Sequence, residues 1–116
     1  MRMYGYLKEP YKCNSITTIY KVMIHEIEEI GTYIYYYTSK DAIFSSYDSF
    51  VDGIKTALEE FEDEIDKQGW IQIDESLPYC QHDCILPIRV KGRKNGTPQW
   101  GQYEILSNGH WIEYNL

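Results

Sequence analysis

The residue types best suited to chemistry lie close together in the stretch Cys80-Gln81-His82-Asp83-Cys84. In an extended backbone alternate side chains point to the same side, so Cys80, His82 and Cys84 are expected to share one side. Thiolate and imidazole groups are good zinc ligands, and a remote histidine or cysteine would complete the set of four. The spacing C-x-H-x-C differs from the paired cysteines of common zinc sites. Two interpretations stay open, a zinc-stapled structural or binding module and a loop with partly buried thiols.

The same stretch also raises the possibility of a nucleophilic cysteine in a hydrolase or transferase. A catalytic cysteine needs its base on a facing element, not two residues away on the same strand. The sequence contains no nucleophile elbow, phosphate-binding loop, HExxH motif or dinucleotide-binding fingerprint. Because no set of nucleophile, base and orienting group can be assembled, we predict that the protein is not an enzyme.

A second chemical feature is a dense run of carboxylates. Six of the eight residues from 59 to 66 are acidic, and residues 41–75 carry eleven acidic and two basic side chains. Eleven acidic and two basic side chains give residues 41–75 a net charge of −9, whereas the whole chain has −7. The negative charge of the protein is therefore concentrated in this segment. These carboxylates either keep the protein soluble or form a docking surface for a basic protein, with Glu59, Glu60 and Asp63 steering the partner. Direct binding of nucleic acid is disfavoured, since phosphates call for a basic patch.

The element expected to position these carboxylates runs from Tyr47 to Lys67, the only stretch with sustained helical periodicity. Its apolar residues recur at three- and four-residue spacing: Phe50, Val51, Ile54, Ala57, Leu58, Phe61 and Ile65. We predict an amphipathic helix that buries this stripe against a sheet.

The segments around this helix are typical of strands. Residues 15–26 and 32–39 predict a hairpin, and four short strands are expected within residues 70–73, 84–91, 100–106 and 110–114. Residues 1–14 are expected to be irregular because of Gly5 and Pro10. The predicted order is β-β-α-β-β-β-β, a single α+β domain over residues 1–116 with one helix on a mostly antiparallel sheet. Tyr35 and Tyr37 share one strand face and are expected to anchor a partner.

The C-terminal half resembles a short domain of unknown function that is common in phage and prophage proteins of Gram-positive bacteria. The resemblance is carried by Trp70-Ile71, Leu77-Pro78, the strand from Ile85 to Val90, Gly101-x-Tyr103 and Gly109-x-Trp111. The stretch from Cys80 to Asp83 departs from that pattern. The resemblance implies a mobile-element or accessory protein and brings no activity with it.

Compartment and partners follow from the remaining features. Three cysteines, no leader-like apolar run at the start and no stretch long enough to span a bilayer predict a cytoplasmic protein with no membrane contact. The basic side chains of Arg89, Lys91, Arg93 and Lys94 could pair with the acidic residues of a second copy, so a homo-oligomer is possible. We expect a small acidic binding protein that acts by protein–protein contact, of the immunity or phage-inhibitor type.

Overall fold

Long antiparallel strands dominate the N-terminal part of the chain. A computed structural model describes residues 1–115, and the chain divides into two compact units with the boundary between Glu75 and Ser76. Each unit has its own sheet. The single domain expected over residues 1–116 stays a prediction.

The first unit is a five-stranded sheet with one helix. Its elements are β1 (Arg2–Lys12), β2 (Thr18–Ile27), β3 (Gly31–Tyr37), β4 (Tyr47–Val51), α1 (Ile54–Glu60) and β5 (Ile71–Ile73). The strand order is β4-β3-β2-β1-β5, and every neighbouring pair is antiparallel. The helix packs on β2, β3 and β4. This arrangement confirms the α+β class.

The helix is much shorter than the sequence predicts. Residues 47–51 form β4, which pairs with β3 from Tyr36↔Tyr47 to Thr32↔Val51. Gly53 then caps the start of α1 with an extended backbone, at φ −158° and ψ 168°. The prediction of one helix over residues 47–67 is therefore wrong, because aromatic and β-branched residues favour the sheet edge at its start. Among the described residues no helix has the length and apolar character that a membrane crossing requires.

The apolar stripe of that segment is nevertheless buried as predicted. Ala57, Phe61 and Ile65 belong to the core of the first unit, with Val51, Ile54 and Leu58 packed against it. Only Phe50 departs from the stripe, since it is 48% exposed. The apolar pattern therefore predicted which side chains are buried, although the segment consists of a strand, a short helix and an extended stretch.

Residues 2–12 form a strand where irregular structure was predicted. Tyr6 pairs with Lys21 and Tyr11 with Ile19, so residues 7–10 bulge out opposite a single residue of β2. Pro10 lies in this bulge, where β1 is not paired with β2. The lack of a backbone N–H at Pro10 therefore removes no hydrogen bond between the two strands. With β1 and β4 both preceding α1, the predicted order β-β-α-β-β-β-β is also wrong.

The hairpin of β2 and β3 follows the sequence prediction. The two strands pair from Lys21↔Tyr37 to Ile27↔Gly31. Side chains alternate, so Ile34 belongs to the core beneath α1 and Tyr36 packs against that core. Tyr35 lies on the opposite face of the sheet, paired with Met23.

The second unit is a three-stranded antiparallel sheet in the order β6-β7-β8. It contains β6 (Ile88–Val90), a 3₁₀ turn (Arg93–Asn95), β7 (Tyr103–Ser107) and β8 (His110–Tyr114). Asn108 and Gly109 join β7 to β8 with φ values of 52° and 81°, the signature of a type I′ hairpin. The sequence predicts this hairpin, because Ser107-Asn108-Gly109 separates two strand-like runs and contains the Asn-Gly dipeptide typical of such turns.

Candidate functional site

The stretch predicted to bind metal forms a turn and not an extended strand. The amide of Cys84 donates to the carbonyl of Gln81 at 3.4 Å. Cys80 and Cys84 are buried, whereas His82 is exposed. Within residues 1–115 no group of three or more His, Cys, Asp or Glu side chains is placed to hold a metal ion. The prediction that Cys80, His82 and Cys84 share one side is therefore wrong, because it assumed an extended backbone.

The basic residues of the second unit are largely engaged within that unit. Three of them have partners there: Arg89 with Glu104 at 3.1 Å, Lys91 with Glu113 at 3.2 Å and Arg93 with Gln81 at 3.1 Å. The guanidinium of Arg89 also lies 3.8 Å from the ring centre of Trp111. Lys94 is exposed and makes no ion pair within the described part of the chain. The homo-oligomer predicted from this cluster stays a prediction.

The two tyrosines predicted to anchor a partner differ in exposure. Tyr37 is 0% exposed, with its hydroxyl 3.7 Å from the sulfur of Met23 and the Lys21 ammonium 4.6 Å from its ring centre. Tyr37 is therefore a core residue, and its assignment to a partner surface is wrong. Tyr35 is half-buried and stacks on Tyr33, with ring centres 6.0 Å apart.

The acidic segment, residues 59–66, begins on the last two residues of α1 and continues through the turns that follow. Glu59, Glu60 and Asp63 are all exposed, as predicted. Glu59 lies 3.9 Å from Lys55, and this exposed pair contributes little to stability. None of the other carboxylates of the segment has an ion-pair partner among residues 1–115.

One wall of a groove in the first unit is formed by the acidic segment, and we call this cavity the aromatic groove. It has a volume of about 390 Å³. Its apolar lining consists of Leu7, Ile19, Val22 and Phe61. Its polar and aromatic lining consists of Tyr11, Cys13, Tyr36, Tyr47, Glu60 and Glu64. The groove therefore combines an apolar floor, three tyrosine rings and two carboxylates.

Irregular features of the sheet border this groove. The bulge in β1 separates Leu7 from Tyr11, which is 55% exposed. The loop after β1 is held by Asn14, whose side-chain oxygen accepts from the amides of Ile16 and Thr17 at 2.9 and 2.8 Å. The hydroxyls of Thr17 and Tyr47 lie 3.3 Å apart and link this loop to β4.

The acidic wall is fixed by backbone pairing to β1. Lys8 donates to the carbonyl of Glu64 at 2.8 Å, and Asp66 donates to the carbonyl of Tyr6 at 2.8 Å. Burial raises the pKa of Tyr36; the hydrogen bond between Tyr36 and Ser49 opposes that shift, and the nearby charge of Glu60 adds to it. The groove thus places the carboxylates of Glu60 and Glu64 beside an apolar floor.

The aromatic groove could not be found from the sequence alone. Glu60 was singled out, but Glu64, Cys13 and the three tyrosines were not. Strand alternation places Tyr36 on the same face of β3 as the core residue Ile34, and this was the available signal. Tyr47 was assigned to a helix, so its position beside β3 was missed.

Comparison with known protein families, with curated proteins and with solved structures finds no significant match to this chain. The resemblance to a phage domain therefore stays a prediction. The site is defined by its own geometry and charge.

Proposed function

We propose that this protein is a small acidic cytoplasmic binding protein that acts by direct contact with a basic protein. The observation that carries the proposal is the acidic segment. It holds six carboxylates, and only that of Glu59 has an ion-pair partner among the described residues, in a weak exposed contact with Lys55. The small size and the acidity of the chain fit an immunity protein or a phage-encoded inhibitor.

The electrostatics of the segment support a role beyond solubility. Carboxylates at a helix C-terminus are unfavourable by about 0.3–1 kcal/mol each when exposed at low salt, because they oppose the helix dipole. Clustered like charges also repel one another. A basic partner relieves both effects, and complementary charge speeds its association.

Affinity capture from a lysate at low and high salt tests the proposal. We expect the wild-type chain to retain a basic protein that is released as salt screens the contact. The variant Glu59→Gln/Asp63→Asn should retain much less of it.

The matched control is Glu28→Gln/Glu29→Gln, which removes two exposed carboxylates at the β2–β3 turn. Its capture should equal that of the wild type. Capture that is insensitive to salt, or equal for both variants, contradicts the proposal.

A further inference from the structure

We propose that the aromatic groove receives one arginine side chain of the basic partner. This inference rests on the proposed function and assigns a specific receptor within the acidic surface. Its occupant is defined by the combination of an apolar floor, tyrosine rings and two carboxylates in one cavity.

The floor of the groove suits an aliphatic stem. Leu7 and Phe61 are core residues whose surfaces contribute to the lining. An arginine or lysine stem can cover such a surface while its charged head stays at the rim. The volume of about 390 Å³ lies near the lower end of the range for small-ligand pockets, which suits a single long side chain with its adjoining backbone.

The walls favour a flat cation over other head groups. Tyr11, Tyr36 and Tyr47 line the groove, and a tyrosine ring attracts a cation that lies over its face. Glu60 and Glu64 offer carboxylates that a guanidinium binds with paired donors. An anion is repelled by these carboxylates, and a purely apolar ligand would desolvate them without compensation.

Arginine fits these walls better than lysine. Its guanidinium is planar, stacks on aromatic rings and is less strongly hydrated than an ammonium. Arginine is also enriched among the residues that dominate binding energy at protein interfaces. We therefore expect the groove to prefer arginine to lysine.

The test is a titration of the ¹⁵N-labelled full chain with blocked tripeptides, Ac-Gly-X-Gly-amide. The arginine peptide should shift the amide signals of Cys13, Tyr36, Tyr47 and Glu60 in a concentration-dependent way. Citrulline has the same shape without the charge, so its peptide should bind at least roughly tenfold more weakly. The lysine peptide should fall between the two.

Two variants locate the site. Glu60→Gln removes a carboxylate that lines the groove and should weaken the arginine peptide about tenfold. Glu62→Gln removes an exposed carboxylate of the same segment that does not line it, and should leave binding nearly unchanged.

Each contrary result has a distinct meaning. Equal weakening by both variants, with shifts spread over residues 59–66, overturns the groove as a receptor and leaves the proposed function standing. Equal binding of the arginine and citrulline peptides, or no groove shifts with any peptide, also overturns the inference. Loss of salt-sensitive capture in the earlier experiment instead removes the proposed function itself.

Discussion

The hydroxyl groups of Tyr36 and Ser49 lie 3.0 Å apart and join β3 to β4 across the sheet. Ser49 pairs in register with Ile34, a core residue beneath α1, so this contact lies on the helix side. Tyr36 also lines the aromatic groove. A single hydrogen bond thus orients one wall of the candidate site.

This bond predicts a non-additive pair of substitutions. Ser49→Ala and Tyr36→Phe should each lower the free energy of unfolding by about 1 kcal/mol, the usual net value of such a bond. The double variant should cost little more than either single change, because both remove the same contact. Urea unfolding of the four proteins measures this cycle. Additive losses would show that the two hydroxyls do not stabilise each other.

Close packing at Gly5 predicts a cost for adding one methyl group. A Cβ at this position would lie 3.0 Å from Cδ1 of Ile65 and 3.3 Å from Cε3 of Trp70. Gly5→Ala should therefore destabilise the protein by about 1–2 kcal/mol through overpacking. Gly53→Ala is the control, since nothing lies within 4 Å of its added Cβ and it carries only the cost of alanine at a helix N-cap. Thermal unfolding should show a larger fall in the midpoint for the first variant than for the second.

The position of Cys13 predicts selective alkylation. Cys13 is exposed and lines the groove, whereas Cys80 and Cys84 are buried. Treatment of the folded chain with N-ethylmaleimide should therefore modify Cys13 alone, as peptide mass mapping will show. The arginine tripeptide should slow this reaction, and the citrulline peptide should not. Equal rates with both peptides would place the peptide elsewhere.

The carboxylate of Glu75 predicts a specific acid sensitivity. Its pKa is held below the ordinary 4.5, first by a hydrogen bond from the amino group of Met1, with a further contribution from His25 at 3.4 Å. Because the folded state favours the charged form, this stabilisation is present above pH 4.5 and is lost as the pH falls through the lowered value.

Glu75→Gln should therefore be less stable than the wild type at pH 7, and the difference should shrink as the pH falls below 4.5. Chemical unfolding at several pH values measures it. Glu28→Gln, at an exposed position, should show no such trend. A difference that persists at the lowest pH would exclude this linkage.

The sequence predicted the elements that depend on local chemistry. The β7–β8 hairpin follows from Asn108-Gly109, and the β2–β3 hairpin from two runs rich in β-branched and aromatic residues. The helical spacing over residues 47–67 predicted the wrong conformation at both ends of the segment. Val51 packs on the core from a strand, and Ile65 packs there from an extended segment. Burial was therefore predictable where conformation was not.

The candidate site was only partly predictable because it depends on distant contacts. The charge of Glu59, Glu60 and Asp63 is visible in the sequence. The bulge in β1 and the pairing of Leu7 with Ile65 arise from the folded sheet. These features bring Tyr11 and Glu64 to one groove although they are far apart in the chain.

The two backbone bonds that attach the acidic segment to β1 bear on how the proposed partner would be bound. A disordered acidic tail must lose conformational entropy when it is captured, and that loss weakens the complex. Here the amides of Lys8 and Asp66 already hold the segment against a strand. Folding has therefore ordered the backbone of these carboxylates in advance, and the proposed association would need to immobilise little more than their side chains.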